Sequence, residues 1–337
     1  MALLGATGLA GCSGGLLGGG GGGGTDQWQY DPGLLLDTQN KFFGSMDYGT
    51  IYQNRESLPA STQESFESVQ EGAPVTPEDI DGFTGVGGGQ ISVSTGETTA
   101  FGSGAITGSF DTEAIASDIE SQGDAQETGT YEGYTLYEQS SSGSVGMGQS
   151  ATAMFGVGDS ALVFGVVSTQ GTSASVTAQQ TVETAIDASN GNAEMLRANS
   201  DIASELSDAI GDGTVRIGGQ VDPALVDQMA GSASSQSQFV NGMRGGGFGM
   251  QLNGETSTIT AVALYEDAQT AEDTGIVELV EAFGNQAVES NPDINSISPS
   301  YDGRTVVVTV EGQTQALFEQ GTGSVPGGGI GPGTSGF

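Results

Sequence analysis

The single cysteine of the chain, Cys12, is the side chain best suited to covalent chemistry. A thiol acts as a nucleophile or a metal ligand, and neighbouring groups decide which. The 337-residue chain contains no histidine, so a Cys-His pair, a Ser-His-Asp triad and a histidine metal site are excluded. One cysteine also excludes an intramolecular disulfide and a zinc site built from several thiolates. What remains for Cys12 is the chemistry of an isolated thiol near the N-terminus.

Cys12 follows a short apolar segment that ends in small residues. Residues 1–11 are too few to span a bilayer, which needs about 20 apolar residues, and are typical of the end of a signal peptide. The sequence Leu9-Ala10-Gly11-Cys12 resembles the lipobox of bacterial and archaeal lipoproteins. The resemblance implies cleavage between Gly11 and Cys12 and attachment of a lipid to the Cys12 thiol. The family's signal carries basic residues that are missing here, so we expect the translation start to lie further upstream.

The alternative for Cys12 is an incidental cysteine near a frayed N-terminus. The seven consecutive glycines at 18–24 favour the anchor, because a glycine-rich coil suits a tether. We therefore predict that residues 12–27 hold the lipid and the tether, with a reach of roughly 20 Å. A lipid with two acyl chains would anchor the protein stably without a second signal. The glycine- and proline-rich residues 321–337 are predicted to be a disordered tail.

The chain is strongly acidic, with 42 Asp and Glu against 6 Lys and Arg and a formal net charge of −36. This charge excludes nucleic-acid binding through basic patches. Intrinsic disorder would explain it, and so would folding in concentrated salt, where the Debye length falls to about 3 Å at 1 M. Periodic apolar segments between residues 40 and 320 favour the folded, salt-adapted interpretation.

The chain contains an internal repeat. Residues 87–98 and 245–256 share a glycine triplet, six residues and Gly-Glu-Thr. Each copy is followed by an apolar strand and then a helix, predicted to begin near Asp111 in the first copy and near Thr270 in the second. The glycine triplets could form a ligand loop, but they lack the lysine of a phosphate loop and the spacing of a dinucleotide loop. We favour a structural role, with triplets at strand starts or bulges and Gly-Glu hairpin turns.

Further local signals predict hairpins and helix ends. Gly158-Asp159 and Asp302-Gly303 are typical of hairpin turns. Ser200 is predicted to cap a helix that Gly211 ends. A capping box at Thr270 and Asp273 is predicted to begin another helix. That helix is expected to bury one apolar stripe, composed of Ile276, Leu279, Val280 and Phe283.

Together these signals predict an α+β fold made of two related units, residues 41–195 and 212–320. Each unit is expected to hold an antiparallel or mixed sheet with helices packed on one face, in a split-βαβ-like arrangement. The units are expected to join in one continuous sheet or one two-lobed body. The single tryptophan, Trp28, is placed outside both units.

No catalytic, cofactor-binding or metal-binding residue is predicted. The acidic clusters Glu78-Asp79-Asp81 and Asp208-Asp212 could hold calcium, but no twelve-residue calcium loop occurs, and a solvated surface is the simpler interpretation. The scarce arginines are expected to pair with nearby acids, although one could bind an anionic ligand. This expectation applies to Arg197, Arg216, Arg244 and Arg304.

The lipobox, tether, acidity and repeat together resemble the acidic lipoproteins that salt-loving archaea display at the cell surface, a resemblance that implies no particular activity. We expect a lipid-anchored, non-enzymatic protein outside the cytoplasmic membrane, with a duplicated binding or structural module. The alternative is a solute-binding lipoprotein of a membrane transporter, which needs a deep cleft between the units lined by aromatic residues or arginines. A hydrolase with paired carboxylates is a third hypothesis.

Overall fold

The computed structural model describes residues 25–67, 74–92, 95–123, 125–139, 149–171, 175–226 and 237–321. Cys12, the predicted cleavage site beside it and nearly all of the predicted tether and tail lie outside these residues.

Twelve strands form one antiparallel sheet. They are β1 Asn40–Asp47, β2 Ile80–Ser92, β3 Glu97–Gly108, β4 Ala125–Tyr131, β5 Tyr134–Gln139, β6 Gln149–Val157, β7 Ala161–Gln170, β8 Val215–Gln220, β9 Met243–Asn253, β10 Thr256–Tyr265, β11 Ile294–Asp302 and β12 Thr305–Gln313. Their order in the sheet is β11-β12-β10-β9-β8-β1-β2-β3-β7-β6-β5-β4. The helices are α1 Tyr48–Gln53, α2 Ala60–Glu67, α3 Thr112–Gln122, α4 Ala178–Ser189, α5 Leu196–Asn199, α6 Asp201–Ile210, α7 Ser237–Val240, α8 Ala268–Asp273, α9 Ile276–Ser290 and α10 Thr314–Gly321.

The strand order confirms the α+β class and the duplication. Each unit begins with three neighbouring strands, β1-β2-β3 or β8-β9-β10. A helix then leads to a strand that lies parallel to the third, with an antiparallel strand between them. This is a split β-α-β arrangement in both halves, and the first half adds the hairpin β4–β5. The two units join where β1 pairs with β8, from Lys41 opposite Gln220 to Met46 opposite Val215.

Helices cover both faces of the sheet, so the prediction that they pack on one face is wrong. On the first face, α4, α6 and the N-terminal segment enclose the largest core cluster. On the second face, α1, α2 and α3 contribute to two smaller clusters. The reason is visible in β7, where Val163 and Val167 point to one face and Leu162 and Phe164 to the other. A strand that is apolar on both sides requires cover on both sides.

The two glycine triplets occupy equivalent strands but not equivalent positions. Gly96 and Gly254 lie in the predicted hairpin turns, each with φ of 72°. The first hairpin closes with Ser92 opposite Glu97, whereas the second closes with Asn253 opposite Thr256. The loops therefore differ in length, and the difference places the triplets in different registers.

Close packing, rather than the predicted bulge, explains the first triplet. Pairing of β2 with β1 and β3 is regular through Gly88, and a methyl group on that residue would lie 2.9 Å from Pro32 Cβ. In the second triplet, a methyl group on Gly245 would lie 2.9 Å from Leu206 Cδ1 of α6. The nearby register shift, opposite Leu264 and Tyr265, skips Arg244 of β9, so the predicted irregularity lies directly before the second triplet. Both triplets thus let another segment approach the sheet closely.

Most predicted element ends are confirmed. Asp111 caps α3, Ser200 caps α6, and Gly211 ends α6. The hairpins at Gly158-Asp159 and Asp302-Gly303 join β6 to β7 and β11 to β12. These ends are specified by local hydrogen bonding and turn chemistry.

The predicted helix start at Thr270 and its apolar stripe are wrong. Asp267 caps α8, and its carboxylate accepts a 2.8 Å hydrogen bond from the Thr270 amide. Gly275, with φ of 64°, then separates α8 from α9. On α9, Leu279 and Phe283 are 46% and 61% exposed. The helix lies at the edge of the sheet and turns Val277 and Gly284 inward instead.

Candidate functional site

The junction between the two units is filled by the N-terminal segment. A 3-10 turn at Thr25–Trp28 leads into a segment that lies against β2 and α4. Trp28 and Tyr30 are both buried, and the Trp28 ring meets Tyr134 edge-on at 6.4 Å. The prediction that Trp28 lies outside both units is therefore wrong. Its ring packs beside Tyr134, and it belongs to a core cluster that includes residues of both halves.

Polar contacts tie this segment to β1, β2 and β8. The Gln29 side-chain amide donates to the Gly44 carbonyl at 3.0 Å and to the Thr84 hydroxyl at 3.2 Å. Arg216 on β8 donates to Asp26 at 2.5 Å and to Ser45 on β1 at 3.0 Å. The segment is thus bonded to strands from both units.

A second ion pair reinforces the junction. Lys41, the only lysine of the chain, lies 2.6 Å from Asp31, and both side chains are nearly buried. The void left nearby, beside Gln29 and Phe43, is about 10 Å³. That volume holds about one water molecule. Around this void, Trp28, Tyr30, Phe43 and Leu206 belong to one packed core cluster.

An acidic groove of about 500 Å³ lies between α6 and the β11–β12 turn. Because Ser200 caps α6, three acids follow on the outer side of the helix at spacings of four and three residues. The groove is lined by Asp201, Ser204, Glu205, Asp208, Ala209, Asp302, Gly303 and Thr305.

Two of the groove's carboxylates are engaged by arginines. Glu205 accepts bonds from Arg304 at 2.7 and 3.0 Å, and this carboxylate raises the pKa of the guanidinium. Asp208 pairs with Arg197, which also lies 3.6 Å from Asp26. The described chain contains no group of three acidic or cysteine side chains placed to hold a metal ion. The groove is an open polar surface whose charge favours cations.

The other predicted acidic cluster serves local structure. Glu78 accepts a hydrogen bond from the Tyr52 hydroxyl, and this bond lowers the pKa of the Glu78 carboxyl. Asp79 accepts a bond from the Thr76 amide at 2.8 Å and completes a helix cap. Glu78 is thus used in a surface hydrogen bond and Asp79 in a helix cap.

The prediction that the four arginines pair with nearby acids is confirmed. Their partners are Asp26 and Asp208 for Arg197, Asp26 for Arg216, Glu266 for Arg244 and Glu205 for Arg304. Sequence reasoning missed Asp26 and Gln29, the polar residues that fasten the junction. The only signal for them is their position beside Trp28, directly after the glycine run.

None of the helices in the described part of the chain combines the length and apolarity that a membrane crossing requires.

In comparisons with known proteins, no protein-family model matches the chain, and the curated proteins contain no significant match. Solved structures that resemble it include crystal forms III, I and IV of TP0453. Their TM-scores are 0.43, 0.42 and 0.41, with 9%, 8% and 9% sequence identity. They cover 89%, 88% and 88% of this chain and 97%, 96% and 98% of the other chain. No function is carried over from TP0453 at these values.

Proposed function

We propose that this chain is a lipid-anchored, non-enzymatic protein of the cell envelope. In this proposal the Cys12 lipid holds it at the outer face of the cytoplasmic membrane, and the duplicated α+β body serves as a binding or structural module. The observation that supports the proposal is the way the chain enters the body directly after the glycine run. The glycine run ends at Gly24. Two residues later Asp26 binds Arg216, and Trp28 is part of the largest core cluster.

The tether is joined to the body by peptide bonds, so the fold decides only where on the body the tether begins. Asp26 is bonded to Arg216, and two residues later Trp28 is buried in the core. The tether would therefore leave the body beside β8 and the largest core cluster.

The same segment bears on the solute-binding alternative. That class needs a deep cleft between the units, and here Trp28, Tyr30 and Leu206 fill the described junction. The acidic groove beside α6 has no aromatic lining, and its arginines are paired with acids. These observations favour a protein that presents a surface over one that closes on a solute.

Replacement of Cys12 tests the anchor. In the native host we expect Cys12→Ser to move the protein from the membrane fraction to the medium, or to leave the precursor uncut, because serine offers no thiol for alkylation. The matched control is Ser13→Ala, which keeps the thiol and changes only its neighbour. Unchanged membrane retention of Cys12→Ser would refute the proposal.

A further inference from the structure

The N-terminal segment lies over the first face of the sheet and forms none of its strands. Residues 26–36, which we call the strap, make one isolated β-bridge, between Tyr30 and Met195. Two backbone hydrogen bonds accompany this bridge, one donated by the Asp31 amide at 2.8 Å and one by the Leu196 amide at 2.9 Å. A segment with so few backbone bonds to its surroundings opens at a lower free energy than a central strand does.

The docked strap leaves polar groups without full hydrogen bonding. Within the described residues, the buried side-chain atoms that lack a partner are the Trp28 indole nitrogen, the Tyr30 hydroxyl and the Ser103 hydroxyl. Two of them belong to the strap, and Ser103 lies on β3 beside Tyr30. Each group has given up water without a full replacement, and release of the strap returns water to it. This cost therefore favours opening of the strap.

The sheet surface beneath the strap, which we call the trough, is lined by hydroxyl groups. It includes Ser45 on β1, Thr84 on β2 and Ser103 on β3, all of which are buried. Gln29 of the strap donates to the Thr84 hydroxyl at 3.2 Å, and Arg216 on β8 donates to the Ser45 hydroxyl at 3.0 Å. Because hydroxyl groups and a guanidinium can bind water, exposure of this surface costs less than exposure of an apolar core.

Two of the six basic residues of the chain border the trough and pair with acids of the strap. Lys41 on β1 lies 2.6 Å from Asp31, and Arg216 on β8 lies 2.5 Å from Asp26. Each pair thus joins a carboxylate of the strap to a cation of the sheet. When the strap leaves, these cations need water or another anionic partner, because an uncompensated charge beside the core is costly.

We propose that the strap is a releasable occupant of the trough, and that the open trough binds an acidic, aromatic peptide segment of another chain. The strap itself defines the chemistry of that segment, with Trp28 and Tyr30 enclosed between the carboxylates of Asp26 and Asp31. As a covalently linked competitor, the strap acts at an effective concentration of about millimolar, so the open form is a minor one in the intact chain. The inference concerns the body alone and does not depend on a lipid at Cys12.

Hydrogen–deuterium exchange of the full chain carrying Cys12→Ser tests the release of the strap. The Asp31 and Leu196 amides are hydrogen-bonded across the contact between the strap and the body. We expect their protection from exchange to be at least about tenfold lower than that of the amides in β3 and β7, because local opening exposes them. Equal protection would show that the strap opens only when the whole fold does, and this result would overturn the proposal.

Binding of a fluorescent peptide of residues 25–36 to the same full chain tests the trough. The variant Asp26→Asn with Asp31→Asn leaves Lys41 and Arg216 without their acids when its own strap is docked. We therefore expect this variant to bind the peptide at least about tenfold more tightly than the parent chain does. A peptide in which both aspartates are replaced by asparagine should bind the variant at least about tenfold more weakly than the native peptide does.

The matched control is Glu205→Gln with Glu266→Gln, which removes the same charge and breaks two arginine ion pairs outside the trough. This control is expected to bind the peptide no more tightly than the parent chain. Equal peptide affinities of the strap variant and the control, or no binding to the strap variant, would overturn the proposal. Circular dichroism confirms that the variants are folded, and the exchange measurement on the parent chain decides the release independently of them.

Discussion

At the residue scale, two buried tyrosines differ in whether their hydroxyl groups are hydrogen-bonded. The hydroxyls of Tyr30 and Ser103 are buried near each other, but their mutual contact falls short of a regular hydrogen bond and neither has another partner among the described residues. Tyr265 is equally buried, but its hydroxyl donates to the Phe239 carbonyl at 2.8 Å. A buried hydroxyl without a partner loses its hydrogen bonds to water and gains none in the protein, which lowers stability. A buried hydroxyl that is hydrogen-bonded in the protein recovers most of this cost.

The first prediction compares two Tyr→Phe changes. Tyr30→Phe is expected to leave the free energy of unfolding unchanged or to raise it by up to about 1 kcal/mol. Tyr265→Phe is expected to lower it by about 1 kcal/mol, because the Phe239 carbonyl loses its partner. Denaturant titration measures both. Equal losses in the two variants would show that the Tyr30 hydroxyl is bonded after all.

The pKa values of these tyrosines add a dependence on pH. Burial raises the pKa of Tyr30 above the ordinary value of 10.0 and that of Tyr265 to about 12. The unfolded chain loses these protons first, so stability falls as pH rises from about 10 through the folded values. In the same titrations, Tyr30→Phe should reduce this alkaline loss.

At the element scale, glycines decide how closely α4 approaches the sheet. A methyl group on Gly165 of β7 would lie 2.7 Å from the Ala178 carbonyl oxygen and still closer to Thr181. On neighbouring β6, a methyl group on Gly156 would meet Leu136 and Val182 at 3.4 Å, an ordinary contact. The two glycines lie under the same helix and differ in available space.

The second prediction follows from this difference. Gly165→Ala is expected to lower the free energy of unfolding by about 2 kcal/mol or more, because the helix must move. Gly156→Ala is expected to change it by less than about 0.5 kcal/mol. Thermal or denaturant unfolding of both variants measures these changes. Equal losses of stability in the two variants would show that α4 does not contact Gly165 more closely than Gly156.

Elements could be predicted where their chemistry is local. The caps at Asp111 and Ser200 and the turn at Gly303 depend on neighbouring residues only. The stripe on α9 was mispredicted because Gly275 separates two helices and because an edge helix covers its strand on one side only. The pairing registers of the glycine triplets depend on hairpin loop length, which a shared motif does not reveal.

At the scale of the whole molecule, the two units form one body. The pairing of β1 with β8 makes the sheet continuous, and one core cluster includes residues from both halves. The duplication was visible in the sequence because it repeats the order of elements. The position of Trp28 was not, because it depends on contacts with residues more than a hundred positions away.

Cooperative unfolding is therefore expected. Trp28 is the only tryptophan, so its fluorescence reports the junction, whereas far-ultraviolet circular dichroism reports the whole sheet. In the Cys12→Ser chain, the two signals should change together in one transition, as for a single cooperative unit. Two separated transitions would mean that the units fold independently and that the junction adds little.

Mass spectrometry of the protein extracted from native membranes tests the central claim most directly. The account predicts that the mature chain begins at Cys12 and that this residue carries a lipid on its sulfur. A membrane-derived chain that retains residues 1–11, or one with an unmodified Cys12 thiol, would contradict it.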